Sequence, residues 1–210
     1  MNQTTTINAA PRSRSNTLYM AQLALLSAII IIMAFTPLGY LRTPALSITL
    51  LTVPVAVGAI ILGPKAGAFC GGVFGMTSFI MAVTTGGFTG MLFQINPLGT
   101  LFTCLVPRIL EGFFCGLIFL GLRRLGLKKA SYLIASLSCP LLNTFFFMSS
   151  IVLIFYQSDY IQGFVTGFGA SNPLMFVIAF VGVQGAIEAV ACCFVASIIT
   201  ITLSTFMKRG

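Results

Sequence analysis

The chain has 210 residues, 58% hydrophobic and only 7% charged, against roughly 25% charged in a soluble domain. That balance describes one integral membrane domain, with no room for a further large soluble one. The net charge of +8 comes from basic residues scattered between apolar runs, and no basic stripe with interleaved aromatics exists to bind nucleic acid.

Residues 1–17 are polar, carry Arg12 and Arg14, and read as a disordered cytoplasmic tail. Six apolar runs follow within residues 18–207: Leu18–Leu38, Ser47–Leu62, Ala66–Val83, Pro97–Leu122, Ser131–Phe155 and Pro173–Phe206. The first reaches the length of about 20 residues needed to span. It lacks a small-x-small cleavage site, so it reads as a transmembrane helix and not a signal peptide. The last is long enough to tilt or project. The expected fold class is all-α, a bundle of six transmembrane helices with both termini cytoplasmic. On that orientation Arg12, Arg14, Lys65, Arg123, Arg124, Lys128, Lys129, Lys208 and Arg209 are inside, against the single external Arg42.

The outer segments 39–46, 84–96 and 156–172 are rich in glycine, threonine and aromatics. They suit a lid over an outward-facing pocket, or plain connectors. Leading into and through the third run, Gly63, Gly67, Gly71 and Gly75 stand four residues apart. That spacing strips one helix face and lets a neighbouring helix come to backbone contact. All six cysteines (Cys70, Cys104, Cys115, Cys139, Cys192, Cys193) sit in apolar runs without a Cys-x-x-Cys pair, and there is no histidine. They read as buried packing thiols, not as disulfides or metal ligands.

Asn96-Pro97-Leu98 and Asn172-Pro173-Leu174 open the fourth and sixth runs. Asparagine as N-cap and proline at the first helical position account for both. The two caps set a common vertical register. Twelve residues on lie Arg108 and Gln184; fifteen and sixteen on lie Glu111 and Glu188. At 1.5 Å per residue these are about 18–24 Å below the outer caps, and Asn143 reaches a similar depth from the other side. Charges at that depth are expensive and mark function or compensation. In one reading Arg108 and Glu111, three apart on a helix, neutralise each other. In the other, Arg108 offers its fork of donors to a ligand carboxylate or amide. Glu111 or Glu188 then holds the ligand, and Gln184, Asn143, Gln94 and Asn96 bond its neutral groups.

Enzymatic readings lack parts. Without histidine no Ser-His hydrolase can be assembled; the only aspartate, Asp159, lies in an outer loop; and no Walker-type ATP segment is present. The chain is expected to be no enzyme and to need no cofactor or metal. Uphill transport would draw on another protein or an ion gradient.

A turn reading Leu-Gly-Pro-Lys-Ala-Gly at 62–67, the glycine-laddered third helix, Pro107-Arg108, and Ala24-Leu-Leu-Ser-Ala28 in the first run form a combination. With six spans it resembles the substrate-binding (S) components of energy-coupling factor (ECF) transporters, the vitamin-importing branch of ABC systems, over Leu18 to Met207. The resemblance implies high-affinity capture of a vitamin from outside under closing loops. Delivery then goes through a transmembrane coupling (T) protein and two ATPase (A) subunits, with toppling in the membrane. It also implies that Ala24 and Ala28 dock on the coupling protein, and it points to a multi-pass protein of a bacterial cell membrane. A pantothenate-like carboxylate is favoured because it gives Arg108 or Arg42 a role; riboflavin and folate types stay open, with stacking left to Phe and Tyr. The rival readings are a stand-alone ion-coupled secondary transporter or channel using Glu111 and Glu188, and a membrane scaffold.

Overall fold

In a bilayer every backbone polar group must be satisfied within the protein, so long apolar runs close into helices. The computed structural model describes residues 12–36, 39–42, 47–127 and 130–207; the side chains of 12–15, 40–42, 47–48, 183–184 and 206–207 lie outside what it describes. Its elements are α1 (Arg12–Phe35), β1 (Tyr40–Arg42), β2 (Ser47–Thr49), α2 (Thr52–Ile61), α3 (Pro64–Thr85), α4 (Gly87–Ile95), α5 (Pro97–Arg124), α6 (Ala130–Phe155), α7 (Asp159–Gly167) and α8 (Pro173–Met207). Among the described residues, five helices (α1, α3, α5, α6 and part of α8) are long and apolar enough to cross a membrane.

Four segments depart from the sequence expectation. Helix α1 begins at Arg12, inside the expected tail, of which residues 1–11 lie outside the described residues. The expected span Ser47–Leu62 is a three-residue strand followed by a ten-residue helix. That helix is about 15 Å long, half a bilayer core. The strand forms because Ser47-Ile-Thr49 pairs antiparallel with Tyr40–Arg42, Tyr40 opposite Thr49 and Arg42 opposite Ser47. The outer segments 84–96 and 156–172 each hold a nine-residue helix, α4 and α7. Gly86 and Gly87, both at φ 73°, break α3 from α4, a backbone region open to glycine.

The other boundaries follow local chemistry. The Asn96 side chain caps α5 by accepting from the Gly99 N–H at 3.0 Å, with Pro97 next in line. Arg123 and Arg124 occupy the last turn of α5, where cations complement the helix dipole. Ser158 caps α7 by accepting from the Ile161 N–H.

Helix α2 sits at the centre: Thr52 to Ile60 are all buried. Around it pack Ile30 and Ala34 of α1, Phe74 of α3, Cys115 of α5, Cys139 of α6 and Cys192 of α8. The thiols act as packing groups and as weak donors or acceptors between helices. Cys115 Sγ donates to the Ala135 carbonyl at 3.2 Å, and Thr52 Oγ1 donates to Cys192 Sγ at 3.1 Å. A second cluster joins α4, the end of α6, α7 and the start of α8. There the rings of Phe88, Tyr160, Phe164 and Phe180 meet at centroid distances of 5.2–6.0 Å, the range of favourable aromatic pairs.

The glycine ladder is the seam between α3 and α5. A Cβ at Gly67 would fall on the Gly112 carbonyl, and one at Gly71 on the Arg108 carbonyl. At Gly75 it would lie 2.7 Å from the Cys104 carbonyl oxygen. The helices therefore run antiparallel with Gly71 pressed against the backbone of Arg108. Gly63 serves differently, making the turn from α2 into α3 at φ 100°.

Candidate substrate-binding site

Arg108 lies on α5, one residue after Pro107, which stands inside that helix. Its side chain, 7% exposed, runs back toward the start of α5, the direction a helical Cα–Cβ bond favours. Nη1 donates to the Thr103 carbonyl at 2.8 Å. The guanidinium carbon lies 4.4 Å from the centroid of Phe147 on α6 and 5.3 Å from that of Phe74 on α3, within cation–π range. Nε is buried and has no hydrogen-bond partner.

One turn further along α5, Glu111 is completely buried, and neither carboxylate oxygen has a hydrogen-bond partner. Arg108 and Glu111 therefore do not form the hydrogen-bonded pair that would neutralise both, although the charges feel each other. Across from them on α6, Asn143 is half-buried, with its Oδ1 buried and unpartnered. Among the described residues the other buried side-chain atoms without partners are Ser78 Oγ, Thr103 Oγ1 and Ser136 Oγ. All belong to α3, α5 and α6, the helices that bear Arg108, Glu111 and Asn143 or pack directly on them. Buried polar groups left unpaired cost free energy and call for an explanation.

The other expected site residues fall into three groups. Glu188 on α8 is half-buried, with its carboxylate beside the backbone amide of Thr49 and within electrostatic reach of Arg108. Gln184 lies one turn before it on α8 and Arg42 ends strand β1; the side chains of both lie outside the described residues. Gln94 and Asn96 are not with the Arg108 group. Gln94 is exposed and lines a depression of about 440 Å³ with Met91, Gln157, Asp159 and Tyr160. Asn96 is exposed and its Oδ1 is used in capping α5, twelve residues from Arg108, or about 18 Å along the helix.

Sequence reasoning missed Phe74, Phe147 and the Thr103 carbonyl. A signal existed for two of them. Phe147 follows Asn143 by four residues and so shares its face. Pro107 lacks the N–H that Thr103, four residues back, would otherwise accept. On α1, Ala24 and Ala28 are both exposed, on a helix whose outward side also shows Leu25, Ile29 and Ile32.

Comparison with known proteins bears on this arrangement. The family model described as ECF transporter, substrate-specific component, matches residues 18–200. The chain is 35% identical over 128 residues, 55% of its own length and 61% of the relative's, to "Pantothenate transporter PanT" of Leuconostoc mesenteroides. It is 34% identical over 145 residues, 62% of its own length and 70% of the relative's, to "Pantothenic acid transporter PanT" of Lactococcus lactis subsp. cremoris. The chain thus spans less than two thirds of the first of these relatives. The solved structure of ThiT from Listeria monocytogenes superposes with a TM-score of 0.57 at 20% identity, over 92% of this chain and 97% of that one, a likeness of fold. The family match over 18–200 settles the kinship: this helical membrane protein belongs to the substrate-specific components of ECF transporters.

Proposed function

We propose that the chain captures pantothenate from the outer side of a bacterial cell membrane and delivers it through a coupling protein and two ATPase subunits. The observation that carries this reading is the set of buried, unpartnered groups around Arg108. One edge of a fixed guanidinium is free, and that fork matches a carboxylate in two parallel bonds. Beside it, Glu111 and Asn143 offer buried acceptor oxygens to the hydroxyl and amide N–H donors that pantothenate carries. Glu188 closes the set from α8, where Gln184 stands one turn earlier, and Arg42 is a further cation for the carboxylate on approach. Gln94 and Asn96, apart from the Arg108 group near the start of α5, would meet the ligand only on its way in. The curated relatives, both described as pantothenate transporters, agree with this substrate over riboflavin- or folate-like ligands.

In this reading the chain crosses the membrane six times, with β2 and α2 together making the second crossing and both termini cytoplasmic. Support comes from charge: exposed Lys65 at the start of α3 and Arg123 and Arg124 at the end of α5 lie at one end of the α3–α5 pair, the inside by the positive-inside rule. The exposed Ala24 and Ala28 on α1 then meet the coupling protein through small-residue packing.

The test is mass spectrometry of small molecules released from the purified protein, with calorimetric titration of a B-vitamin panel. Pantothenate is expected to co-purify and to bind tightly, and Arg108→Ala to abolish binding of the carboxylate while the protein still folds. Tight binding of another vitamin and none of pantothenate overturns the substrate. Flux through vesicles containing this chain alone, varying with an ion gradient, overturns the mechanism in favour of a secondary transporter.

A further inference from the structure

Proline inside a helix removes one hydrogen bond, because residue i lacks the N–H that the carbonyl of i−4 would accept. In α5 the proline is Pro107 and the deprived carbonyl is that of Thr103. Thr103 is 1% exposed, so water or lipid headgroups cannot satisfy that oxygen, and a buried carbonyl without a donor is costly. The donor it receives is Nη1 of Arg108, at 2.8 Å. The residue next to the proline thus fills the acceptor that the proline empties.

We infer that Pro107 is the positioning residue for Arg108: by freeing the Thr103 carbonyl it fixes which edge of the guanidinium faces the ligand. The inference rests on the reading that Arg108 binds the substrate carboxylate. Three contacts hold the head group. Thr103 takes Nη1, Phe147 covers the guanidinium at 4.4 Å, and Phe74 lies 5.3 Å away. With Nη1 engaged, the side-on fork formed by Nε and Nη2 is the edge left, and Nε is buried without a partner. A side-on fork receives a planar carboxylate in one orientation. Long side chains lose much rotamer entropy on being held, so prior fixation raises affinity for the carboxylate. The arrangement is local: a Pro-Arg dipeptide inside a helix supplies the cation and its holder together.

Pro107→Ala tests this directly. Alanine returns the N–H at 107, the Thr103 carbonyl regains its helical donor, and Arg108 Nη1 loses its exclusive acceptor. Calorimetric titration of purified Pro107→Ala, Arg108→Ala and the double variant would use pantothenate and its neutral alcohol analogue, pantothenol. Pro107→Ala is expected to weaken pantothenate binding by about tenfold to a hundredfold, leaving pantothenol within about threefold, so that discrimination between the two collapses. The double variant is expected to bind no worse than Arg108→Ala alone, the non-additivity of two residues acting through one contact. Equal losses for both ligands, or losses that add to those of Arg108→Ala, assign Pro107 to helix shape only and overturn the inference. If Arg108→Ala binds pantothenate normally, the substrate reading fails first, whatever Pro107→Ala does. Should the alanine variant not fold, Pro107→Gly restores the same N–H with a softer backbone and is read by the same criteria. If it too yields no folded protein, Pro107 is needed for the fold itself and the positioning role is withdrawn.

Discussion

Gly71→Ala is the sharpest probe of how the α3–α5 seam serves the site. A Cβ there falls on the Arg108 carbonyl oxygen, 2.7 Å from the carbonyl carbon and 3.2 Å from the Ile109 nitrogen. Ordinary contact begins near 3.4 Å, so even the carbon leaves a shortfall of 0.7 Å (3.4 − 2.7). All three obstacles are backbone atoms, which cannot rotate aside, and the helices must part by about an ångström. Overpacking of this kind costs about 1–3 kcal/mol, and the upper end applies where no side chain can yield. The better helix propensity of alanine returns about 1 kcal/mol. A net loss of about 2 kcal/mol lowers the melting temperature of a chain this size by roughly 4–8 °C. Because Arg108 rides on the displaced backbone, its bond to Thr103 and its seat between Phe74 and Phe147 shift too, and pantothenate affinity falls about tenfold or more. The control is Gly72→Ala, one residue along, whose Cβ would meet only Ile109 side-chain atoms at 3.6 Å and beyond. It is expected to match or exceed the parent in stability and to bind normally. Thermal unfolding in detergent and calorimetric titration of both variants decide the matter. If the two behave alike, the ladder does not position Arg108.

Three further outcomes follow from the site and its surroundings. Glu111→Gln removes a carboxylate buried without a partner, so ligand-free protein is expected to melt roughly 2–4 °C higher while pantothenate binds at least about tenfold more weakly; loss of stability on this change would make Glu111 structural. Phe147→Leu keeps an apolar side chain but removes the ring 4.4 Å from the guanidinium, and is expected to weaken binding by about threefold to tenfold, measured by titration. Ala24→Leu with Ala28→Leu places bulk on the exposed side of α1 and is expected to leave pantothenate affinity unchanged while abolishing ATP-dependent uptake in cells; unaltered uptake would move the docking surface elsewhere.

Much of this architecture is legible from the residues alone, and the exceptions have physical causes. The long runs behind α3, α5, α6 and α8 are readable because a bilayer leaves the backbone no alternative to the helix. The ladder is readable as a seam, since four-residue spacing of glycine means backbone contact on a helix, and the contact falls at Arg108. Hydropathy does not reveal that α2 is only ten residues long and enclosed by protein, because Leu50 to Leu62 is as apolar as a lipid-facing span. Windows of apolarity cannot tell those two environments apart. Helices α4 and α7 hide in stretches whose glycines and threonines resemble loops; Gly86, Gly87 and Ser158 mark helix ends there. At the site, Arg108, Glu111 and Asn143 stand out as polar groups at membrane depth. Phe147 is marked only by standing four residues after Asn143, and among twenty phenylalanines in the chain nothing marks Phe74 until tertiary packing sets it near a cation.

The burial of α2 has a consequence for how the chain enters the membrane. A helix of ten residues cannot serve as an independent insertion signal, since its polar ends would stop within the hydrocarbon. It has no lipid-facing side to prefer, only positions against Ile30, Phe74, Cys115, Cys139 and Cys192 of its neighbours. Through the tight turn at Gly63 it is tethered to α3, and so it can be carried in as the shorter arm of a hairpin. During synthesis the packing around this segment is thus completed only when α5, α6 and α8 have supplied Cys115, Cys139 and Cys192. Truncated chains ending before α8 would hold this segment in a different place from the finished protein, and topology reporters fused to them would describe a biosynthetic intermediate.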